Sequence, residues 1–370
     1  MSIIWGLWSW VHPSIDALFA RDITFSERWR MLLFLQPISY LTYALTCFPW
    51  LFSRAFTIEY ITVDTGRTFR ILVFKTQDAT SQPSHGKLRP LHLDVHGGAF
   101  MGGNPESDAR FCDLLARCTG AVVISATYRF APAHRFPAAI DDVDAVVRFL
   151  QAHAARRWAA DPALMTVGGF SAGGNLAFAA TQQPACHAPA PTAIKAAVTF
   201  YGVVDLRLPP QEKPRPLDAE GKDRAPKNDP MASLIPLMDS YAVRARKDHM
   251  NDVRLNPILA KLETLPKDIL LIVPAIDIAV HEQLTFVERI KAEIEADPNV
   301  KGKGRSAEAV VYENAFHGWT YCEYFDSFAG SLLTFAVPDS IAGPSKMEAI
   351  NLGVNFLKNV YKKYGWVWDA

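Results

Sequence analysis

Short apolar segments alternate with longer amphipathic ones from residue 90 onward. The apolar segments are 90–96, 121–128, 164–170, 194–202, 268–275 and 307–313. The amphipathic segments are 105–118, 137–154, 172–182, 280–295 and 346–363. Strands that are apolar throughout are typical of sheets buried on both faces, and parallel strands need crossover helices between them. The pattern therefore predicts an α/β fold with a mostly parallel central sheet and helices on both faces.

Two strands of another kind precede this alternation. The runs 57–63 and 67–75 are rich in β-branched and aromatic residues and are separated by Asp64-Thr65-Gly66. An Asp-x-Gly turn between two such runs predicts a β-hairpin. The polar residues 76–89 that follow predict a surface loop.

Two segments lie outside the alternation and divide the chain into a core and a cap. The core is predicted at 56–205 and 263–370, with an N-terminal helical cap segment at 1–55 and an inserted cap or lid segment at 206–262. The insertion begins polar and proline-rich and then predicts an amphipathic helix from Met231 to Arg246. Since it falls between two core strands, it should lie over the rim of the sheet; a surface excursion without a function is the alternative.

The N-terminal segment leaves three interpretations open. Residues 31–52 carry no charge and are long enough to cross a bilayer. Pro37 and Pro49 favour helices that cap the chain's own core. The tryptophans of the first fifty residues fit peripheral contact with a membrane instead. No basic residue precedes Arg21, so the charged start of a signal peptide is missing.

Composition excludes several classes of function. The chain has 370 residues, of which 49% are hydrophobic, and its 38 basic residues balance 38 acidic ones. This predicts a large core and gives no reason to expect nucleic acid as a partner. The five cysteines form no C-x-x-C pair, which favours reduced thiols in an intracellular, cytoplasmic setting. No cofactor is predicted, and the oligomeric state, including a homodimer, stays open.

The most informative motif is Gly169-x-Ser171-x-Gly173. An apolar strand precedes it and a helix-forming segment follows it. This context is typical of a nucleophile elbow, a turn so tight that only glycine fits two residues on either side of the serine. A glycine-rich dinucleotide loop is the alternative, but the pattern G-x-G-x-x-G is absent from the motif. Ser171 is therefore the candidate nucleophile.

Two residues downstream qualify as the acid and the base that a serine nucleophile needs. Asp277 follows the strand 268–275, and His317 follows the strand 307–313. In this fold the order along the chain is Ser, Asp or Glu, then His, and all three emerge at the carboxyl ends of strands. His281 as the base, and Glu282 or Glu313 as the acid, are rivals, but their positions inside a helix or a strand fit these roles less well.

The segment HLDVHGGAF (92–100) has two incompatible interpretations. On a strand His92, Asp94 and His96 share one face, which would suit half of a metal site. Alternatively, the backbone N–H groups after His96 form an oxyanion hole together with the N–H of Ala172. A metallohydrolase would need further ligands, and no H-E-x-x-H motif or comparable cluster occurs. The prediction is an oxyanion hole and no metal.

Together these motifs resemble the hormone-sensitive-lipase-like family of α/β-hydrolases, mostly serine esterases and lipases. The matching segments are HGGAF (96–100), YRFAPAHRFPAAIDD (128–142), GFSAGGNLA (169–177), Asp277 and FHGW (316–319). The resemblance implies an α/β-hydrolase fold with a helical cap. It implies a catalytic triad of Ser171, Asp277 and His317. It also implies an oxyanion hole made of N–H groups of Gly97, Gly98, Ala99 and Ala172. Aromatic candidates for substrate binding are Phe100, Phe170 and Trp319.

The chain departs from the family pattern at several positions. Ala99 stands where the family often has a third glycine, and Phe170 stands where an acidic or small residue commonly precedes the serine. Asp277 is followed by Ile-Ala-Val rather than Pro-Leu, and residues 324–345 look longer than usual. Alanine keeps its N–H group, so the oxyanion hole should survive the change at Ala99.

The predicted function is hydrolysis of carboxylic esters with hydrophobic acyl or lactone substrates, through an acyl-enzyme. Two alternatives use the same triad for acyl transfer, or for opening a lactone or amide in a specialised pathway. A further alternative is a binding protein, since relatives such as the plant gibberellin receptor lack the triad histidine. The presence of Ser171, Asp277 and His317 argues against that alternative.

Overall fold

A computed structural model shows how these segments assemble. It describes residues 23–47, 50, 53–76, 88–217, 220–223, 235–321 and 346–368, together with residues 11, 14–16, 18 and 19. The sequence-based expectations for the segment 1–10, most of the loop 76–89, Cys322 and residues 324–345 lie outside the described residues.

The described residues contain one eight-stranded sheet. Its strands are β1 (Phe56–Thr62), β2 (Thr68–Phe74), β3 (Arg89–Val95), β4 (Val122–Ala126), β5 (Ala160–Phe170), β6 (Ala196–Phe200), β7 (Asp268–Ile276) and β8 (Ser306–Phe316). Their order across the sheet is β1-β2-β4-β3-β5-β6-β7-β8. The β1–β2 hairpin is antiparallel and β2 pairs antiparallel with β4, whereas the pairs from β4 to β8 are parallel. The predicted mostly parallel sheet and the hairpin are confirmed.

Helices cover both faces of the sheet. In chain order they are α1 (Phe25–Arg30), α2 (Gln36–Cys47), α3 (Ala109–Thr119), α4 (Ala138–Trp158), α5 (Ala172–Ala180), α6 (Ile235–Met238), α7 (Arg246–His249), α8 (Val280–Ala296) and α9 (Lys346–Lys363). Helices α4, α5 and α8 pack into one apolar cluster with the sheet. Helices α3 and α9 pack into a second cluster on the opposite face. Burial on both faces explains why the central strands are apolar throughout.

The helix predicted from Met231 to Arg246 is wrong in its extent. Residues 231–234 lie outside the described residues, and helix occurs only at α6 and α7, with turns between them. The carbonyl of Asp239 accepts hydrogen bonds from the N–H groups of both Ala242 and Val243, and its carboxylate pairs with Arg246. The Arg246 side chain also donates from Nε to the Leu206 carbonyl at 2.7 Å, a contact across the insertion that periodicity alone does not reveal.

The N-terminal helices and the insertion meet above the loop that follows β3. Helix α1 begins at a capping box in which Thr24 and Glu27 exchange hydrogen bonds. A five-residue π-helix, Met31–Leu35, joins α1 to α2. An apolar cluster unites this region with the insertion and the β3 loop through Ile23, Met31, Leu35, Met101 and Leu237.

Arg135 adds a polar connection between the same two segments. Its guanidinium donates to the Glu27 carboxylate at 2.9 Å and to the Ser240 carbonyl at 2.6 Å.

No helix within the described ranges is both long and apolar enough to cross a membrane. The division into cap and core, and contact of residues 1–55 with a membrane, stay predictions.

Candidate active site

The turn that carries Ser171 joins β5 to α5 and is built from glycine because no side chain fits. Ser171 has φ +52°, a strained conformation for a non-glycine residue. A Cβ on Gly173 would lie 1.8 Å from the Val95 carbonyl oxygen, and one on Gly169 would lie 2.5 Å from the Gly173 carbonyl carbon. The backbones of β3, β5 and α5 therefore touch, and this contact raises Ser171 above the end of the sheet.

Three side chains form a continuous hydrogen-bonded chain at this edge. The Ser171 Oγ lies 2.8 Å from the His317 Nε2, and the His317 Nδ1 lies 2.8 Å from the Asp277 Oδ2. The other carboxylate oxygen of Asp277 accepts the N–H of Ala279 at 2.9 Å. The structure thus brings together the three residues that the sequence predicted, in the geometry of a nucleophile, a base and an orienting acid.

Asp277 controls the protonation of His317. Removal of water by the surrounding protein lowers the pKa of His317, but the charge and hydrogen bond of Asp277 outweigh this effect, so that its pKa is raised above the usual value of 6.5. The carboxylate of Asp277 is fully buried, whereas 41% of the His317 side chain is exposed. The ring is therefore held by a buried carboxylate on one side and is partly exposed to solvent on the other.

The loop after β3 is held in an unusual backbone conformation. His96 bonds to the Gly97 carbonyl at 2.6 Å through Nδ1 and to the Thr127 hydroxyl at 3.0 Å through Nε2. Its ring stacks on Tyr128 at a centroid distance of 4.8 Å. Burial lowers the pKa of His96 to about 4, so the ring is neutral at neutral pH. His96 therefore braces the loop and does not act as a charged group.

Backbone N–H groups of this loop and of the elbow are available to a ligand. Ala99 and Phe100 have φ values of +53° and +61°, and Gly98 has φ +122°. Within the described residues, no carbonyl accepts the N–H of Gly98 or Ala99. Ala172 opens α5, where the first N–H groups have no acceptor within the helix. Together these groups form the kind of donor array that stabilises an oxyanion.

His92 and Asp94 lie behind this loop and bond to separate partners. The His92 Nδ1 bonds to the Thr166 hydroxyl, and Ser125 donates to Asp94 at 2.8 Å. Burial lowers the pKa of His92 to about 3 and raises that of Asp94 to about 7. In the described part of the chain, no group of three His, Cys, Asp or Glu residues is arranged to hold a metal ion.

The aromatic candidates for substrate binding are all buried. Phe100 stacks on Tyr241 at 4.1 Å, and Phe170 stacks on Phe200 at 4.3 Å. Trp319 is only 2% exposed and packs edge-on against Tyr201. These rings face the protein interior and support the loops of the site from below. Their contact with a substrate stays a prediction.

The rival acids and bases have other partners. Glu282 accepts the N–H groups of Val204 and Asp205 and forms an ion pair with Lys213 of the insertion. His281 contacts the Arg215 carbonyl at 3.1 Å. Neither side chain therefore takes the place of Asp277 or His317 in the hydrogen-bonded chain.

Sequence reasoning missed two residues close to the site. Tyr321, four positions after His317, donates from its hydroxyl to the Asp108 carboxylate at 2.7 Å. Its ring packs against Phe170 at 5.6 Å. The polar sequence around Asp108 predicted the start of a helix, and only the fold shows that this carboxylate is 2% exposed.

Comparisons with known proteins place the chain in a family. Residues 92–321 match the family model described as alpha/beta hydrolase fold. The sequence is 39% identical to the carboxylic ester hydrolase LipN of Mycobacterium tuberculosis over 95 residues, which are 26% of this chain and 25% of LipN. It is 33% identical to human arylacetamide deacetylase-like 2 over 218 residues, which are 54% of this chain and 50% of the relative. The chain thus spans between a quarter and a half of the length of these curated relatives.

Solved structures share the same fold over most of their length. A Pyrobaculum calidifontis esterase superposes with a TM-score of 0.65 at 22% identity, covering 94% of this chain and 97% of the esterase. The carboxylesterase EstE1, cloned from a metagenomic library, gives a TM-score of 0.64 at 23% identity, with 88% and 97% covered. The family match confirms the resemblance carried by the sequence motifs. The chain belongs to the alpha/beta hydrolase fold family.

Proposed function

We propose that the protein is a serine carboxylic ester hydrolase, with Ser171 as nucleophile, His317 as base and Asp277 as the residue that orients it. The observation that carries the proposal is the continuous hydrogen-bonded chain from the Ser171 Oγ through His317 to the buried Asp277. The names of the relatives, a carboxylic ester hydrolase among them, support the same reaction class.

The reaction follows from the positions of these atoms. As the Ser171 Oγ attacks the ester carbonyl carbon, its proton passes to the His317 Nε2, and the carbonyl oxygen becomes an oxyanion. The N–H groups at Gly97, Gly98, Ala99 and Ala172 are the proposed donors to that oxyanion. Asp277 stabilises the imidazolium through its hydrogen bond to the His317 Nδ1.

The intermediate then collapses in two stages. His317 gives its proton to the leaving alcohol, and the acyl group remains on Ser171 as an ester. A water molecule transfers a proton to His317 and attacks this acyl-enzyme, which releases the acid and restores the Ser171 hydroxyl. An alcohol or amine in the place of this water would give acyl transfer, so the fate of the acyl-enzyme separates the two activities.

The surroundings of the site favour a hydrophobic acyl or lactone substrate. The described part of the cap contributes Met31, Leu35 and Leu237 to an apolar cluster that packs on Ala99. This cluster makes the surroundings of the loop after β3 apolar, which suits an apolar acyl group better than a charged one. An aryl acetamide belongs in the substrate panel because a relative is named for deacetylation of that class.

Fluorophosphonate labelling tests the nucleophile directly. The wild type should be labelled with one equivalent at Ser171 and should hydrolyse p-nitrophenyl esters, whereas Ser171→Ala should do neither. An unlabelled wild type, or full hydrolysis of p-nitrophenyl butyrate by Ser171→Ala, would refute the proposal. A p-nitrophenyl series of increasing chain length, run with and without an added alcohol, then defines the acyl preference and distinguishes hydrolysis from transfer.

A further inference from the structure

We propose that Tyr321 is a positioning residue of the hydrolase site, whose hydroxyl, held by Asp108, fixes the oxyanion loop against the nucleophile turn. This inference rests on the proposed hydrolase function and deepens it. Neither residue belongs to the three-residue chain of Ser171, His317 and Asp277. Both lie where three loops of the site converge.

The first observation is the position of the Tyr321 hydroxyl. A Cβ built on Gly97 would lie 3.1 Å from the Tyr321 Oη, 3.1 Å from the Phe170 carbonyl oxygen and 3.5 Å from the Ser171 Cβ. The phenol therefore occupies the gap between the oxyanion loop and the elbow. The hydroxyl thus lies beside the backbone that carries the proposed oxyanion donors, on the side where Gly97 has no side chain.

The second observation is that Tyr321 is also tied to the segment that carries His317. Its N–H donates to the Gly318 carbonyl at 3.0 Å, closing a turn directly after the histidine. Its ring packs against Phe170 and, at 6.1 Å, against Tyr201. Tyr201 in turn lies 5.1 Å from the imidazole of His317. One side chain thus contacts the supports of the nucleophile, the base and the oxyanion loop.

The third observation concerns the acceptor of this hydroxyl. Asp108 ends the short helix Pro105–Asp108, which follows the oxyanion loop and precedes α3. Its Oδ1 accepts from the Tyr321 hydroxyl at 2.7 Å, and its Oδ2 is buried with no hydrogen-bond partner among the described residues. A buried carboxyl with a single partner is costly to ionise. We call the hydrogen-bonded pair of Tyr321 and an uncharged Asp108 the neutral clamp. It ties the residues after His317 to those after the oxyanion loop.

The charges around Asp108 support a neutral acid. The titratable groups that face it are Asp94 from β3, Cys112 from α3, Tyr128 after β4 and Tyr321 itself. Burial, and then the charge of Asp94, raise the pKa of Asp108 well above its usual range, against the lowering effect of the Tyr321 hydrogen bond. The neutral acid is therefore favoured over the carboxylate, and ionisation of Asp108 is shifted to higher pH. We expect this ionisation to loosen the clamp on the alkaline side.

Tyr321→Phe tests the position of the oxyanion loop. We expect kcat to fall about tenfold or more while KM changes little, because a misplaced donor weakens contacts made in the transition state. The matched control is Tyr361→Phe, which removes a buried tyrosine hydroxyl bonded to Thr166 at 2.7 Å, away from the triad. Both variants should have a lower Tm, but only Tyr321→Phe should lose kcat. Equal losses of Tm with wild-type kcat in both would reduce Tyr321 to a structural residue and overturn the proposal.

Asp108 variants test the neutral clamp. Asp108→Asn keeps an acceptor oxygen for Tyr321 and cannot ionise, so it should keep kcat near the wild-type value at neutral pH and retain it to higher pH. Asp108→Ala removes the acceptor and should behave like Tyr321→Phe. If Asp108→Asn is as impaired as Asp108→Ala, a charged carboxylate is required and the neutral clamp is wrong.

An infrared titration of the wild type and of Asp108→Asn tests the protonation of Asp108 itself, since the buried Asp94 is present in both. The difference between the two spectra should contain a protonated carboxylic acid band that disappears with rising pH in step with kcat. A difference spectrum without that band would overturn the neutral clamp. Failure of fluorophosphonate labelling removes the hydrolase function and this inference together, whereas a labelled, active wild type beside an equally active Tyr321→Phe removes the inference alone.

Discussion

The Ser171 Oγ and the His317 Nε2 are 2.8 Å apart, yet the chain holds the two residues in place by different means. Ser171 is 8% exposed and sits on a turn where backbone touches backbone, so that its position is fixed by the absence of side chains at Gly169 and Gly173. His317 follows the end of β8 with much of its ring exposed, and a hydrogen bond to Asp277 orients it. The nucleophile is placed by packing and the base by polar contacts, so changes to the two should fail in different ways.

The largest effect is expected at the packed turn. Gly173→Ala places a Cβ 1.8 Å from the Val95 carbonyl oxygen, and the contact is with backbone, which cannot rotate away. We expect a loss of more than about 4 kcal/mol in the free energy of unfolding, seen as little soluble protein or a much lower Tm. A folded, active Gly173→Ala protein would show that the turn is looser than the structure indicates.

Substitution of Asp277, which orients His317 through a hydrogen bond, should remove activity and leave the fold intact. Asp277→Asn keeps the shape of the side chain but no longer fixes the tautomer of His317, and we expect kcat to fall about 10⁴-fold. Esterase kinetics and a Tm close to that of the wild type would check this. A Tm loss as large as that of Gly173→Ala would contradict the contrast between packing and polar contacts.

The pH profile sharpens the same contrast. His317 must be neutral to accept the Ser171 proton, so activity should rise as the pH increases through its pKa, which Asp277 holds above 6.5. Removing the charge in Asp277→Asn lowers that pKa, so the acid limb of the residual activity should move to lower pH. An unchanged acid limb would mean that another group controls it.

The oxyanion loop should give an intermediate effect. A Cβ on Gly98 would lie 2.2 Å from the Gly102 carbonyl oxygen, and φ +122° is unfavourable for alanine. Gly98→Ala should therefore displace the loop and cost about 10²- to 10³-fold in kcat, the range for one oxyanion donor. Circular dichroism and Tm serve as the control, since a collapse of the fold would place Gly98 with Gly173 instead.

The smallest effect on activity is expected at His92, which lies on β3 behind the oxyanion loop. His92 is fully buried and bonds to Thr166, so His92→Ala leaves a cavity and takes one of its hydrogen bonds from the Thr166 hydroxyl, which keeps its bond to Tyr361. We expect a loss of about 2–4 kcal/mol in the free energy of unfolding with kcat retained. Loss of turnover in a stably folded His92→Ala protein would give that residue a part in the reaction.

Most of the sheet and the main residues of the site could be predicted because local patterns determine them. The glycines around Ser171, and the strand ends before Asp277 and His317, are visible without knowledge of long-range contacts. The partnership of Tyr321 with Asp108 was not predictable, since 213 residues separate them and neither belongs to a recognised motif. The helix predicted from Met231 to Arg246 was wrong in its extent for a related reason, because contacts across the insertion, such as that of Arg246 with the Leu206 carbonyl, leave no trace in the local pattern.

The Arg135 bridge has a consequence for how the N-terminal helices and the insertion can move. It joins Glu27 of the N-terminal helices to Ser240 of the insertion, and the Arg135 and Glu27 side chains are about one-tenth exposed. Lifting either segment alone would separate a mostly buried charged group from its partner, at a cost of about 3 kcal/mol or more. A motion that keeps both contacts must carry the two segments together.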